Sequence, residues 1–139
     1  MTLTATIGIA CASQAVSPVI RPDKEIERKI EKTLGRMTLE EKIGQMTELS
    51  IDVLGEWKDG EFRLDRDKLH NAIAKFKVGS VLNAPGPIAQ TPEKWQEIIG
   101  LIQEVSMKEI GIPCIYGLDQ NHGTTYTLGG TLFPQNINI

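Results

Sequence analysis

"TPEKWQEIIGLIQEVSMKEIGIPCIYGLD", residues 91–119, carries the signals that decide the fold. Thr91 is predicted to cap a helix, and Pro92 suits its first position, which needs no backbone N–H donor. The apolar stripe of this helix is formed by Trp95, Ile98, Ile99, Ile102 and Val105. Gly111 is predicted to end the helix, and a strand is expected over 112–118. The stretch therefore predicts one helix that leads directly into one strand.

The same alternation precedes this stretch. A helix is predicted from Asp65, and 78–86, VGSVLNAPG, predict a buried strand that ends in a loop. The apolar residues of that helix are Leu69, Ile73 and Phe76. This order favours an α/β fold with a parallel sheet, either doubly wound or closed as an eight-stranded barrel. In both architectures ligands bind at the carboxyl ends of the strands, where the loops 83–87 and 119–124 are expected.

Two further helices are predicted near the start of the chain. Residues 23–35 predict a helix that ends at Gly35, and its narrow apolar stripe is formed by Ile26, Ile30 and Leu34. Thr38 and Glu41 form a capping box for a second helix over 39–47. The apolar residues of that second helix are Leu39, Ile43 and Met46. The residues that follow it, 47–52, are expected to continue into a first strand.

A hairpin is predicted over 55–64, with Asp59 and Gly60 as its turn. Trp57 and Phe62 are expected to pack on each other, while the alternative is that Trp57 faces a ligand. His70 lies off the apolar stripe of the following helix and is expected to be solvated.

Composition excludes several classes of partner. The chain has 139 residues, 40% hydrophobic and 24% charged, with a net charge of −3. These values are typical of a globular protein, and a basic surface for nucleic acid or for a membrane is absent. No stretch reaches the roughly 18 apolar residues of a spanning helix. Of the two cysteines, Cys11 and Cys114, the second is expected to be a buried, inert thiol.

The first 20 residues contain no charged side chain, and the charges begin at Arg21. This pattern favours the remnant of a secretory leader over 1–20, with 13–15 as its cleavage site, over a disordered apolar tail. Residues 8–11, Gly-Ile-Ala-Cys, also resemble a lipoprotein signal, although a glycine stands where leucine is usual. We therefore expect a periplasmic or secreted protein, either free or lipid-anchored.

Asp119 and His122, three residues apart, are the candidate site residues. A nucleotide site is disfavoured because Gly129 and Gly130 belong to no phosphate-binding motif. A metal site would need a third ligand, and a serine hydrolase would need a nucleophile elbow. Two readings remain open from the residues alone. Asp119 either accepts backbone N–H bonds as a loop cap or binds the vicinal hydroxyls of a sugar.

Four segments in this order and spacing resemble a known family. They are RMTLEEKIGQM (36–46), GSVLN (79–83), GIPCIYGLDQNHG (111–123) and GGTLFPQNI (129–137). They are similar to the N-terminal barrel domain of glycoside hydrolase family 3, whose members are mostly β-glucosidases. The resemblance covers roughly residues 25–139. At position 121 many relatives carry an aliphatic residue where this chain has asparagine.

The resemblance implies a (β/α)8 TIM-type barrel, incomplete in this chain, with 21–139 as the N-terminal portion of the barrel domain. It implies an exo-acting, retaining β-glucosidase that removes terminal non-reducing β-D-glucosyl residues and needs no cofactor. Asp119 would bind hydroxyls of the glucose in subsite −1, and His122 would have a weaker, loop-shaping role.

The nucleophile and the acid/base of this chemistry would lie beyond Ile139. No catalytic residue and no metal ligand is therefore expected within the chain, and the chain alone is expected to be inactive. The expected partners are a β-glucoside or oligosaccharide substrate and the remainder of the same polypeptide. The alternative is a complete, non-catalytic carbohydrate-binding or interaction module.

Overall fold

The computed structural model describes residues 23–134. The leader predicted over 1–20, with Cys11, lies outside the described residues. The chain divides into two units, Met1–Gly35 and Arg36–Ile139. The described part of the first unit is one helix, α1, Lys24–Leu34, which ends at Gly35 as predicted. Its cap is Asp23, whose carboxylate accepts from two backbone N–H groups of the first turn.

The second unit begins with a short capped helix and a strand. The helix α2 runs over Leu39–Gln45 and the strand β1 over Glu48–Ser50. The predicted capping box is present: the Glu41 N–H donates to Thr38 Oγ1, and the Thr38 N–H donates to the Glu41 carboxylate. The apolar residues predicted on one face, Leu39, Ile43 and Met46, are exposed. Periodicity alone specifies a helix, but it does not specify a surface that buries its apolar face.

The predicted hairpin is formed by β2, Gly55–Lys58, and β3, Glu61–Leu64. Asp59 and Gly60 both have positive φ, 53° and 80°, as a two-residue type I′ turn requires. The rings of Trp57 and Phe62 meet edge to face with their centroids 6.1 Å apart. The expected packing of these two aromatic residues is therefore confirmed.

The helix predicted from Asp65 differs from the expectation at its end. It consists of α3, Arg66–His70, and one turn of π-helix, Asn71–Lys75. The Phe76 N–H donates to the Asn71 carbonyl, five residues earlier, so this turn holds one residue more than an α-helical turn. The extra residue rotates Phe76 off the buried face, and the prediction that it joins the apolar stripe was wrong. His70 is exposed, as predicted.

Two strands and a long helix complete the described chain. They are β4, Ser80–Leu82, α4, Pro92–Glu109, and β5, Ile115–Gly117. Thr91 caps α4 by accepting from the Lys94 N–H at 3.1 Å. Gly111 follows α4 with a φ of 76°, a conformation that favours glycine. The predicted cap at Thr91 and the predicted helix end at Gly111 are both confirmed. The strands β4 and β5 are shorter than predicted.

The strands β1, β4 and β5 form one parallel sheet in the order β1-β4-β5, which is also their order in the chain. Leu49, Val81 and Tyr116 share one row of the register and face the core. The buried core consists of Ile51, Leu54, Phe62, Leu69, Ala72, Ile73, Val78, Val81, Ile98, Ile102 and Cys114. The predicted α/β class and its parallel sheet are therefore confirmed.

Candidate functional site

The carboxyl ends of β1, β4 and β5 meet at one edge of the sheet because the three strands are parallel. Asp119 lies two residues beyond the end of β5, and its side chain is exposed. Within residues 23–134, carboxylates that accept backbone N–H bonds include those of Asp23, Glu41, Asp52 and Asp65, and no hydrogen bond in this range ends on the Asp119 carboxylate. The loop-cap reading of Asp119 therefore finds no support in the described residues.

The loop that follows Asp119 depends on a glycine. Gly123 has a φ of 88°, and a Cβ atom there would lie 2.3 Å from the carbonyl oxygen of Thr131. That carbonyl accepts a hydrogen bond from the Thr124 N–H at 2.8 Å. Any side chain at position 123 would therefore push apart the two segments of the loop.

His122 lies in the same loop and is partly buried. Its backbone carbonyl accepts a hydrogen bond from the Phe133 N–H at 2.8 Å, next to the close approach at Gly123. The contact joins the start of the loop to its return segment. It acts through the backbone, so it does not by itself require an imidazole at position 122.

The far side of the loop is anchored on α4. The backbone carbonyl of Tyr126 accepts from the Gln90 N–H at 3.0 Å and from the indole N–H of Trp95 at 3.1 Å. The Leu128 N–H donates to the Gln90 carbonyl at 2.9 Å. Both Gln90 and Trp95 are buried. The loop that carries Asp119 is thus attached to the start of a helix that packs in the core.

Side chains without a role predicted from the sequence join the neighbouring strand ends. Asp52 follows β1 and accepts from the Gly86 N–H at 3.0 Å. The Tyr116 hydroxyl donates to the Asn83 carbonyl at 2.7 Å, and the Asn83 N–H donates to the Gly117 carbonyl at 3.1 Å. The sequence holds one signal for this: Asp52 and Asp119 each lie two residues beyond the last residue of a parallel strand, β1 and β5.

Asn83 adopts a left-handed conformation, with a φ of 77°. Such a conformation costs free energy in a residue other than glycine, and asparagine tolerates it better than most. Its hydrogen bonds to Tyr116 and Gly117 hold it in place. The strand end beside Asp119 is therefore fixed in a conformation that an isolated peptide would seldom adopt.

Two titratable groups, one just before β5 and one within it, are held neutral. Burial raises the pKa of the Cys114 thiol to about 11, and the side chain is 4% exposed. Burial also raises the pKa of the Tyr116 hydroxyl, to which the Asp52 carboxylate and Cys114 contribute. The predicted burial of Cys114 is confirmed, and its raised pKa disfavours the thiolate that would be reactive.

The site can accept hydrogen bonds through the exposed carboxylate of Asp119. An exposed carboxylate can bind two vicinal hydroxyls at once, and charge strengthens both bonds. Within residues 23–134, no group of three or more His, Cys, Asp or Glu side chains could hold a metal ion. In the same range, no helix has the length and apolar character needed to cross a membrane.

Comparison with known proteins identifies relatives of this chain. A curated lysosomal β-glucosidase from Dictyostelium discoideum is 32% identical, in an alignment that covers 79% of this chain and 14% of that protein. Two crystal structures of an exo-1,3/1,4-β-glucanase from a Pseudoalteromonas species, one of them a point mutant, are also similar. The mutant has a TM-score of 0.65 and 29% identity, covering 85% of this chain and 18% of that chain. The other has a TM-score of 0.66 and 28% identity, covering 85% and 14%.

The chain thus spans less than a fifth of the length of these relatives. The model of the glycosyl hydrolase family 3 N terminal domain matches residues 38–139, which is most of the chain. The resemblance seen in the four sequence segments is confirmed by this match. The chain belongs to glycosyl hydrolase family 3, within its N-terminal domain.

Proposed function

We propose that the polypeptide to which this chain belongs is an exo-acting β-glucosidase. It removes terminal non-reducing β-D-glucosyl residues with retention of configuration, and this chain supplies part of the −1 subsite. The family match over 38–139 supports glycoside hydrolysis. The relatives named as a β-glucosidase and an exo-1,3/1,4-β-glucanase support an exo-acting enzyme on β-glucosidic bonds.

The proposal includes the fold of the whole domain. Residues 21–139 form the N-terminal portion of a (β/α)8 barrel, and β1, β4 and β5 are its first three strands. The support is the family match over 38–139. The strand order agrees with it, since neighbouring barrel strands follow one another in the chain. The hairpin β2–β3 is then an insertion between the first strand and its helix.

Asp119 is the residue on which the proposal rests. Its carboxylate is exposed at the carboxyl end of β5, on the edge where parallel α/β folds bind ligands. It binds hydroxyls of the terminal glucose, and the bonds strengthen as the sugar approaches the transition state. His122 has the lesser role of shaping the loop, through the contact of its backbone with Phe133.

The chemistry of retention requires two further carboxyl groups about 5–5.5 Å apart, one as nucleophile and one as acid and then base. We assign both to the remainder of the polypeptide. The same proposal places the protein in the periplasm or outside the cell, and its support is the absence of charge in residues 1–20.

The test is hydrolysis of p-nitrophenyl β-D-glucoside by the intact polypeptide. Asp119→Asn should lower kcat/KM about 100-fold, because two charge-assisted hydrogen bonds of about 1.5–3 kcal/mol each are weakened. Asp67→Asn, an exposed carboxylate on α3, is the matched control and should behave as wild type. An Asp119→Asn enzyme with the kinetics of the control would refute the assignment.

A further inference from the structure

A groove lies between the hairpin β2–β3 and the start of α4, and its volume is about 410 Å³. This volume falls in the range of small-molecule sites, about 300–1,000 Å³. The hairpin follows β1 and the segment before α4 follows β4, so both walls belong to the edge of the sheet that carries Asp119. None of the lining residues comes from the loop 118–134.

One wall of the groove is an indole that is held in place and still accessible. Trp57 is 38% exposed, although its ring meets the buried Phe62 edge to face. A Cβ atom on Gly86 would lie 2.9–3.0 Å from three atoms of this indole, so the ring rests directly on the backbone of Gly86. Contacts from two sides fix the ring before any ligand binds, which lowers the entropic cost of binding.

The facing walls supply polar groups. Gln90 is buried, and Lys94 pairs with both carboxylate oxygens of Glu97 at 3.0 and 2.9 Å. Glu61 and Glu93 also line the groove, so the lining residues carry three carboxylates and one ammonium group, a formal charge of −2. Arg63, outside the lining, pairs with Glu61 at 3.5 Å. This excess of negative charge disfavours phosphate and other anions. It suits a neutral ligand with many hydroxyl donors.

We propose that this groove binds a glucosyl segment of a β-glucan chain, at a site separate from the Asp119 loop. The apolar face of a sugar ring would lie on the indole of Trp57, and its hydroxyls would donate to the carboxylates of α4 and β3. The exposed apolar side chain of Ile88 also lines the groove. The inference rests on the proposed function, since it assigns a second contact with the same class of substrate.

The test is native electrophoresis of the intact polypeptide through gels that contain laminarin, a soluble β-glucan. Trp57→Ala should weaken the apparent affinity for laminarin about tenfold, as truncation of a central tryptophan does in other interfaces. Ile88→Arg fills the groove from an exposed position and should have a similar effect. Met107→Arg replaces an equally exposed apolar residue elsewhere, on α4, and should migrate as wild type.

Hydrolysis of p-nitrophenyl β-D-glucoside, measured on the same samples, separates this inference from the proposed function. Trp57→Ala and Ile88→Arg should keep wild-type kcat/KM, whereas Asp119→Asn should lose activity and remain retarded by laminarin. If laminarin retards Ile88→Arg as much as it retards Met107→Arg, the groove assignment is overturned. This comparison holds even if Trp57→Ala fails to fold. A wild-type protein that hydrolyses the glucoside but is not retarded would overturn it as well.

Discussion

The side-chain amide of Gln103 hydrogen-bonds to both the N–H and the carbonyl of the Cys114 backbone. The Cys114 N–H donates to Gln103 Oε1 at 3.0 Å, and Gln103 Nε2 donates to the Cys114 carbonyl at 2.6 Å. Cys114 immediately precedes β5, and the next residue joins the sheet through the bond from the Ile115 N–H to the Gly79 carbonyl. Gln103 therefore fixes the start of the strand whose other end leads to Asp119.

Loss of this amide should loosen β5 locally. Gln103→Leu leaves a buried N–H and a buried carbonyl without partners, which costs about 1–3 kcal/mol each. Hydrogen exchange of the peptide 112–118 in the intact polypeptide should become at least about tenfold faster. Gln96→Leu, on the exposed face of α4, is the control. Equal exchange in Gln103→Leu and Gln96→Leu would contradict this role.

Two glycines with similar φ values allow backbone strain to be distinguished from steric clash. Gly123 and Gly129 have φ values of 88° and 78°. A Cβ on Gly123 would strike the Thr131 carbonyl, whereas a Cβ on Gly129 would have no atom within 4 Å. Gly129→Ala should cost only about 1–2 kcal/mol of backbone strain.

Gly123→Ala adds the clash to this strain and should disorder the loop after Asp119. We expect a fall in kcat/KM for p-nitrophenyl β-D-glucoside in the intact enzyme that Gly129→Ala does not show. Steady-state kinetics of the two variants side by side are the measurement. If both variants retain the same activity, the loop geometry at Gly123 does not control the site.

The Tyr116 hydroxyl should stabilise the strand end at Asn83. Tyr116→Phe keeps the aromatic contact with Trp95, where the ring centroids are 5.7 Å apart, and removes only the bond to the Asn83 carbonyl. The expected loss is about 1–3 kcal/mol, because the carbonyl loses its partner in a partly buried place. Tyr126→Phe is the control, since the bonds of Tyr126 to Gln90 and Trp95 use its backbone carbonyl.

Hydrogen exchange over residues 80–90 measures this local stability in the intact polypeptide. The exchange should be faster in Tyr116→Phe than in wild type and unchanged in Tyr126→Phe. Wild-type exchange in Tyr116→Phe would mean that this bond contributes nothing to the strand end.

The Cys114 thiol should be unreactive in the native state. Burial raises its pKa from 9.0 to about 11, so the neutral form is favoured on folding. The stabilisation is fully present below pH 9, and it is lost as the pH rises from about 9 towards 11, because the unfolded thiol ionises first. Labelling with iodoacetamide at about pH 8, followed by mass spectrometry of the Cys114 peptide, should show modification only after denaturation. Rapid labelling of the native protein would contradict the buried position.

Local signals in the sequence were reliable guides to local structure. The capping box of Thr38 and Glu41, the cap at Thr91 and the Asp59-Gly60 turn all stand where the sequence predicts them. Each signal depends on groups within a few residues, so its energy does not depend on the rest of the fold. The end of the helix at Phe76 was mispredicted because a π-turn changes the helical period without a recognised sequence signal.

The sequence by itself determined the alternation of helices and strands and the family. It also indicated Asp119 as the candidate sugar-binding residue at a strand end. Only the tertiary structure decided how that strand end is held, because the contacts join residues distant in the chain. Asp52 meets Gly86, Tyr116 meets Asn83, and Trp95 meets Tyr126, and the partners in each pair lie 31 to 34 residues apart. A polar side chain could form hydrogen bonds with many different carbonyl and N–H groups. Only the packed sheet and helices bring these particular partners within hydrogen-bonding distance.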